Sequence, residues 1–412
     1  MSETKPPFHL EIIWDNNPEA MANDLFAKMG RQKADSPAEA LRRRFCIVTP
    51  TRIQQAWLQQ RFLYDLPRPI TPHVLAQVDF ELLNYFLSAW LLPPPSAENA
   101  ANPRPDPDKH PFAVKSLRWK IYDFLLHQPL EDEFAPLRRY IAREGRPDPR
   151  RCFKLAGRLA KLLDEYQTYR PEMMHAWSRP GNRADVPDEA LAWEPELWRR
   201  LIAGQEDQTL LAAYRNMESI IARSGIEDIY PHIFIYMPSA LPPPHLHFFR
   251  TLGERLPVTL YLYNPARENW FDSDSLKRHI RRNTLQERPV DDGQLLDLRH
   301  PLLEAYGRGC RDANASTLEL TEGQIDDLGF AAPAADTLLG ALQQSIGAGG
   351  HGAGAPTFTA DASIQLHRCH GKMREVEILR DQLLACFEQM PGLQPRHIQV
   401  QTADLNEYAP YI

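Results

Sequence analysis

The sequence predicts an α/β protein built on a parallel sheet, with a helical insert inside its first domain and the start of a second α/β unit. Three observations predict this class. Short apolar runs recur along the chain, amphipathic helical patterns alternate with them, and a proline-rich stretch interrupts the alternation. The 412 residues are 43% hydrophobic and 25% charged, which is ordinary globular composition and excludes wholesale disorder.

Four short apolar segments, each bounded by polar or turn residues, predict buried strands. They are Leu10 to Trp14, Phe45 to Thr49, Ile233 to Met237 and Val258 to Tyr263. Helical patterns follow the first two, at residues 20–30 and 54–64. Because strand and helix alternate, we expect a parallel sheet with helices on both of its faces.

A proline-rich connection separates the second and third predicted strands and opens a helical region. Helices are predicted there at residues 113–126, 153–169, 195–203 and 208–224. We therefore predict a helical insert at 93–224, within a first domain formed by 1–92 and 225–345.

The run 347–356 is rich in glycine and alanine and predicts a linker at 346–358. Beyond it, residues 359–412 show a strand pattern at 363–370, a helix pattern at 374–389 and a further strand pattern at 397–402. These elements predict the start of a second α/β domain. Since such a start cannot bury both of its faces, we expect the chain to be an N-terminal fragment of something longer.

Motifs for nucleotide hydrolysis are missing from the sequence. No G-x-x-x-x-G-K-[ST] motif occurs, and the predicted strand at 233–237 is followed by no carboxylate until Glu254. We predict no catalytic residue and no cofactor bound by this chain. An enzyme acting on its own, an ATPase or a nuclease, would need such a motif or a carboxylate cluster that binds metal.

Metal, disulfide and membrane sites are also not predicted. His367 and Cys369 would face one side of a strand and His370 the other, so the three cannot converge on one ion. The five cysteines form no C-x-x-C pair and are expected to be reduced. No apolar run approaches the roughly 18 residues of a membrane span, and no secretory pattern opens the chain, so we expect a cytoplasmic protein.

Positive charge is concentrated in one segment of an otherwise acidic chain. The formal net charge is −7, yet residues 138–170 carry ten Lys or Arg against four Asp or Glu. Within this segment an apolar helical stripe is predicted at Ala156, Leu159, Leu163 and Tyr166. Cations lie on another face or flank the helix: Arg150, Arg151, Lys154, Arg158, Lys161 and Arg170.

This pattern predicts a site for a polyanion, such as a nucleic acid with exposed bases. Cationic groups neutralise phosphates, and the rings of Tyr140, Tyr166 and Tyr169 offer faces on which bases can stack. A solvated amphipathic helix without a ligand is the alternative explanation of the same charge run.

Several sequence blocks, in the same order, carry a resemblance to a known family. They are LDEYQTYRP at 163–171, the S-A-L-P-P turn within 234–243, NPARENW at 264–270, and a C-terminal stretch with His367-x-Cys369-His370, MREVE at 373–377 and YAPY at 408–411. Residues 48–59 and 78–80 agree more loosely. These blocks resemble the RecC family, the gamma subunits of exodeoxyribonuclease V (the RecBCD complex).

The resemblance implies an inactivated superfamily-1 helicase (RecA-like) fold and a non-catalytic DNA-binding subunit. Such a subunit serves an ATP-dependent helicase–nuclease in double-strand-break repair by homologous recombination: it helps to split the duplex, channels the 3′-ended strand and recognises the sequence Chi. The implied partners are single- and double-stranded DNA, the helicase–nuclease beta subunit and the helicase alpha subunit. ATP and Mg would be used by those partner subunits, in the bacterial cytoplasm at the nucleoid and without a membrane.

The resemblance also implies further contacts with the DNA strand. They are Thr49, Thr51, Gln55, Trp57, Leu82, Leu162, Asp164 and Arg170. The Arg170 guanidinium would bind a phosphate or a guanine edge, and Asp164 would accept from a cytosine amine or orient Arg170. Trp57, an indole at the start of an amphipathic helix, is more typical of a core position.

This sequence departs from the family's pattern at three positions. Pro50 and Arg52 lie in a loop that the family usually fills with small residues, and Lys161 stands where some relatives carry an acid. The DNA sequence recognised is therefore not predicted. A protein-interaction scaffold that only docks the helicase–nuclease subunit, without touching DNA, remains the alternative function.

Overall fold

The computed structural model describes residues 9–31, 44–65, 77–91, 110–179, 193–238, 241–267, 270, 300–318, 325–349 and 361–412. The chain forms two compact units, Met1–Ala331 with Ile346–Gly352 and Ala332–Ser345 with Ala353–Ile412. The predicted domain boundaries stay predictions, and most of the predicted linker, residues 350–358, lies outside the described residues.

The first unit is organised around a six-stranded parallel sheet in the order β3-β2-β6-β7-β1-β8. Its strands are β1 (Leu10–Asp15), β2 (Phe45–Thr49), β3 (Val78–Leu82), β6 (Ile233–Tyr236), β7 (Val258–Tyr263) and β8 (Asp326–Asp327), while β4 (Ala142–Arg143) and β5 (Arg146–Pro147) form a separate antiparallel pair. The sheet confirms the α/β class and the four predicted strands. It also contains β3 and β8, which the sequence analysis missed.

Helices cover both faces of this sheet. In the first unit, the described residues form α1 (Pro18–Arg31), α2 (Arg52–Gln60), α3 (Leu83–Leu91), α4 (Val114–His127), α5 (Ala135–Ile141), α6 (Pro149–Tyr169), α7 (Pro171–Trp177), α8 (Trp193–Ile202), α9 (Leu210–Arg215), α10 (Met217–Ala222), α11 (Ile226–Ile229), α12 (Pro243–Gly253), α13 (Pro301–Tyr306) and α14 (Arg308–Leu318). A π-helix over Arg61–Asp65 continues α2.

Alternate residues of the central strands enter two separate cores, as the period of two requires. Ile47 and Phe234 face one side, where they pack with Leu58 of α2 and with side chains of α1. Val48 and Ile235 face the other side, where they pack with side chains of α3 and α12. The chain therefore leaves β2 toward one face of the sheet and leaves β6 toward the other.

Helices α4 to α8 build a third core, separate from the two against the sheet. Leu117 of α4, Leu163 of α6 and Trp198 of α8 are among its buried members. The helix predicted over 208–224 is wrong as one continuous element. Asn216 leaves helical geometry, with φ −102° and ψ 13°, so α9 ends at Arg215 and α10 begins at Met217.

The second unit contains α16 (Lys372–Gln389), α17 (Leu405–Tyr408) and most of α15 (Leu338–Gly347). The predicted helix over 374–389 is confirmed. The strands predicted at 363–370 and 397–402 are wrong, because neither segment pairs with a neighbour in the described residues. A strand pattern becomes a strand only when its backbone groups find a partner.

Candidate nucleic-acid interface

The carboxyl ends of the parallel strands meet at one edge of the sheet, and five of the predicted DNA contacts lie at or behind this edge. Thr49 and Leu82, the last residues of β2 and β3, are directly paired in register. Thr51 caps α2, its hydroxyl accepting from the backbone N–H of Gln54 at 3.3 Å. The Gln54 side chain in turn donates to the carbonyl of Met237, at the end of β6, at 3.4 Å. The ends of β2 and β6 are thus joined.

The divergence of the chain after β2 and β6 makes this edge a topological switch point. In open α/β sheets, ligands bind in the crevice between two strands whose connections leave toward opposite faces. Around the crevice, Thr51 is exposed, Gln55 and Leu82 are half-buried, and Thr49 is fully buried. The side-chain nitrogen of Gln55 is buried without a hydrogen-bond partner in the described structure.

Trp57 packs behind the edge. Its ring stacks on Tyr236 of β6 with centroids 6.1 Å apart and planes 27° from parallel, and the Arg61 guanidinium lies 5.8 Å from the Trp57 centroid. A half-buried indole held between the sheet and a guanidinium contributes mainly to packing. The structure therefore places Trp57 in the joint between α2 and the sheet.

The basic segment forms α6, a long amphipathic helix. Asp148 caps it by accepting from the backbone N–H groups of Arg150 at 2.8 Å and Arg151 at 3.4 Å, and Pro149 occupies the first turn. Ala156, Leu159 and Leu163 are buried, while Tyr166 is half-buried against Trp177. The predicted apolar stripe is confirmed.

The opposite face of α6 is cationic. Arg150, Lys154, Arg158 and Lys161 are exposed at spacings of four, four and three residues, which aligns them over about 16 Å of helix. Within the described parts of the chain, the side chains of the first three have no hydrogen bond or ion pair, while Lys161 lies 3.7 Å from Glu165. We call these four residues the cationic stripe.

Arg151 lies beside the stripe but is engaged elsewhere. Its guanidinium donates to the backbone carbonyls of Tyr140 at 3.3 Å and Ala142 at 3.0 Å. These carbonyls belong to the end of α5, which needs donors beyond its last turn. Arg151 therefore links α6 to α5. Leu162, another predicted DNA contact on α6, is half-buried.

Asp164 and Arg170 do not form an ion pair, so Asp164 does not orient Arg170 as the sequence analysis had allowed. Asp164 is mostly buried; desolvation first, and then the Glu165 carboxylate, raise its pKa to about 6. Arg170 is exposed between α6 and α7, and its side chain has no partner among the residues that the structure describes. The guanidinium is free to bind an anion, whereas the Asp164 carboxyl is shielded from solvent.

The structure adds an aromatic group that the sequence analysis missed. Trp119 and Tyr122 of α4 pack against Phe153, on the flank of α6 next to Lys154. Trp119 and Tyr122 are three residues apart, which places both rings on one helical face. This spacing is the feature of the sequence from which their proximity could have been predicted. Their meeting with Phe153 depends on the packing of α4 on α6, which no local pattern reports.

Metal-binding and membrane-spanning features are absent from the described residues. No group of three or more His, Cys, Asp or Glu side chains there is placed to hold a metal ion. No helix in this part of the chain has the length and apolar character needed to cross a membrane.

Comparisons with known proteins agree on one family. Residues 10–348 match the family described as RecC, N-terminal domain. The RecBCD enzyme subunit RecC of Escherichia coli is 30% identical over 93% of this chain and 36% of its own length. The RecC subunits of Haemophilus influenzae and Mycobacterium tuberculosis are 28% and 31% identical over 74% of this chain, and 32% and 28% of their own lengths.

This chain thus spans about a third of the length of the curated relatives that it matches. The family match covers well over half of the chain, including the whole sheet and the helical region that carries the cationic stripe. By this family match and by its identity to these relatives, this chain belongs to the RecC family.

Proposed function

We propose that this chain is part of a non-catalytic DNA-binding subunit of an ATP-dependent helicase–nuclease, and that the cationic stripe of α6 holds a DNA strand by its phosphates. In this proposal the subunit acts in double-strand-break repair by homologous recombination, in the bacterial cytoplasm at the nucleoid. It helps to split the duplex, channels the 3′-ended strand and recognises a Chi-like sequence. Its partners are DNA, a helicase–nuclease beta subunit and a helicase alpha subunit, and ATP and Mg serve those partners.

The connections at the sheet edge support a non-catalytic role. Only Asn16 and Asn17 lie between β1 and α1, and only Pro50 and Thr51 lie between β2 and α2. A phosphate-binding P-loop needs a glycine-rich connection of about eight residues between strand and helix. Neither connection can wrap a triphosphate.

The observation that carries the DNA-binding proposal is the unpartnered charge of three of the four residues of the cationic stripe. Surface cations of globular proteins often meet a carboxylate, yet Arg150, Lys154 and Arg158 have no such partner within the described ranges. The stripe places its four cations along about 16 Å of helix, an arrangement that can neutralise successive phosphates of one strand. Arg170 lies beyond the far end of the same helix and is the candidate for contact with a phosphate or a base edge.

The test is the salt dependence of single-strand binding. We would measure fluorescence anisotropy of a labelled oligothymidine with the chain and with the triple variant Arg150→Ala, Lys154→Ala and Arg158→Ala, at several salt concentrations. Each lost phosphate contact flattens the slope of log K against log[salt] by about 0.7, so the triple variant should lose up to about 2.

A charge-conserving variant is the matched control. Arg150→Lys, Lys154→Arg and Arg158→Lys keep three cations on the stripe, so the slope should stay at the wild-type value. An unchanged slope in the alanine variant would remove the stripe from the DNA interface. If the wild-type chain failed to bind the strand even at low salt, the scaffold alternative, docking the helicase–nuclease subunit alone, would be favoured.

A further inference from the structure

An exposed tryptophan lies beside the cationic stripe, on the neighbouring helix. Trp119 of α4 is 59% exposed, which is unusual for the largest apolar side chain. It is held in place by two other rings. Its centroid lies 5.5 Å from that of Phe153 on α6 and 5.7 Å from that of Tyr122 on α4. Phe153 and Tyr122 meet edge to face, with centroids 5.8 Å apart.

The base of this cluster is built by a close approach of the two helices. The Arg118 guanidinium lies over the face of Phe153, 3.7 Å from its centroid. Gly157, one turn after Phe153, makes room for it, since a Cβ there would stand 3.3 Å from the Arg118 side-chain Nε. Glycine inside a helix is destabilising relative to alanine, and the space that Gly157 leaves for the Arg118 side chain accounts for its presence in α6. Trp119 thus packs against this cluster on one side and is exposed to solvent on the other.

We propose that Trp119 is a stacking platform for a base of the single strand whose phosphates the cationic stripe holds. This inference rests on the proposed function and assigns the strand a second, base-directed contact. An exposed indole face stacks on any base, and such contacts are tolerant of sequence. Trp119 would therefore add affinity without reading a sequence.

Charge complementarity selects a nucleic acid as the occupant of this patch. Phe153 lies between Arg150, three residues earlier, and Lys154, the next residue, so the aromatic cluster adjoins the stripe directly. Arg118, next to Trp119 on α4, adds a guanidinium 3.7 Å from the Phe153 centroid. Rings bordered by cations on two helices match a strand of alternating bases and phosphates.

The experiment compares Trp119→Ala and Trp119→Phe with the wild-type chain, using labelled oligothymidine and an abasic strand of the same length. Trp119→Ala should bind oligothymidine about 5- to 150-fold more weakly, the range of one lost base stack. Its salt slope should equal that of the wild type, because no phosphate contact is removed. Trp119→Phe keeps an aromatic face and should bind more tightly than Trp119→Ala.

The abasic strand separates the contribution of base stacking to affinity from the contribution of charge. Wild type and Trp119→Ala should bind it equally, since it offers phosphates but no bases. Tyr306→Ala, which removes an 84% exposed ring from α13, is the control and should leave binding unchanged. Circular dichroism would verify that each variant is folded.

Two results would overturn the inference while leaving the proposed function intact. The first is that Trp119→Ala binds oligothymidine normally while the salt slope of binding still depends on the cationic stripe. Trp119 would then contact no base, and its exposed ring would be assigned to a protein partner instead. An equal loss on the abasic strand would show that the effect is not stacking. Failure of the proposed function has a different signature, the absence of wild-type binding at low salt.

Discussion

Replacing Asp164 by asparagine should stabilise the protein at alkaline pH, although it removes a charged group from a proposed DNA contact. The carboxyl is mostly buried and has no ion pair with Arg170, and burial raises its pKa from 3.8 to about 6. The folded state therefore binds this proton more tightly than the unfolded state does. Above pH 6, folding has to bury a carboxylate, and that cost is absent below pH 3.8.

The size of the effect follows from the two pKa values. Their difference corresponds to about 3 kcal/mol at pH 8, falling to roughly half of that at pH 5. A neutral amide of the same shape carries no such cost. Urea unfolding of Asp164→Asn and wild type at pH 8 and pH 5 would measure the change in unfolding free energy and its decline with pH.

Glu165→Gln provides the comparison for this experiment. Glu165 is half exposed and lies 3.7 Å from Lys161, so its loss should change stability by less than about 1 kcal/mol at either pH. A destabilised Asp164→Asn at pH 8 would refute the burial argument, because it would reveal a stabilising cation near the Asp164 carboxylate.

Two further predictions concern buried groups of the sheet domain. Burial lowers the pKa of His245 to about 4, so the folded state favours the neutral ring, and stability should fall by about 2 kcal/mol between pH 7 and pH 5 as the unfolded chain takes up a proton. His245→Gln should remove this part of the pH dependence of the urea midpoint, and an unchanged dependence would contradict it. Lys28 lies 2.6 Å from Glu11 and 3.1 Å from Asp24; Lys28→Met leaves both carboxylates without their cation and should cost about 2 kcal/mol in urea unfolding at pH 7. Wild-type stability of Lys28→Met would show that solvent and the hydroxyls of Thr259 and Tyr261, which donate to Glu11 and Asp24, satisfy the two carboxylates without the cation.

Elements with a strong local signal were predicted well, and elements that depend on pairing were not. The apolar runs of β1, β2, β6 and β7 are long enough to identify, whereas β8 has two exposed acidic residues and is a strand only because it pairs with β1. The segments 363–370 and 397–402 show the converse, a strand pattern without a neighbouring strand among the residues described.

The amphipathic period of α6 by itself determined which of its residues face outward, so the cationic stripe follows from the sequence alone. Periodicity is a property of one helix, and it states nothing about what packs beside that helix. Arg151 is engaged by carbonyls of α5, and Asp164 is covered by its surroundings.

Tertiary packing likewise decided the roles of two tryptophans. Trp57 stacks on Tyr236, 179 residues away in sequence, and is thereby withdrawn from the sheet edge. Trp119 meets Phe153, 34 residues away, and is thereby presented beside the stripe. The sequence alone determined where charge and apolar surface lie on each element. Which side chains stay free to bind was decided by contacts between distant elements, because burial and hydrogen bonding depend on neighbours that only the folded chain brings together.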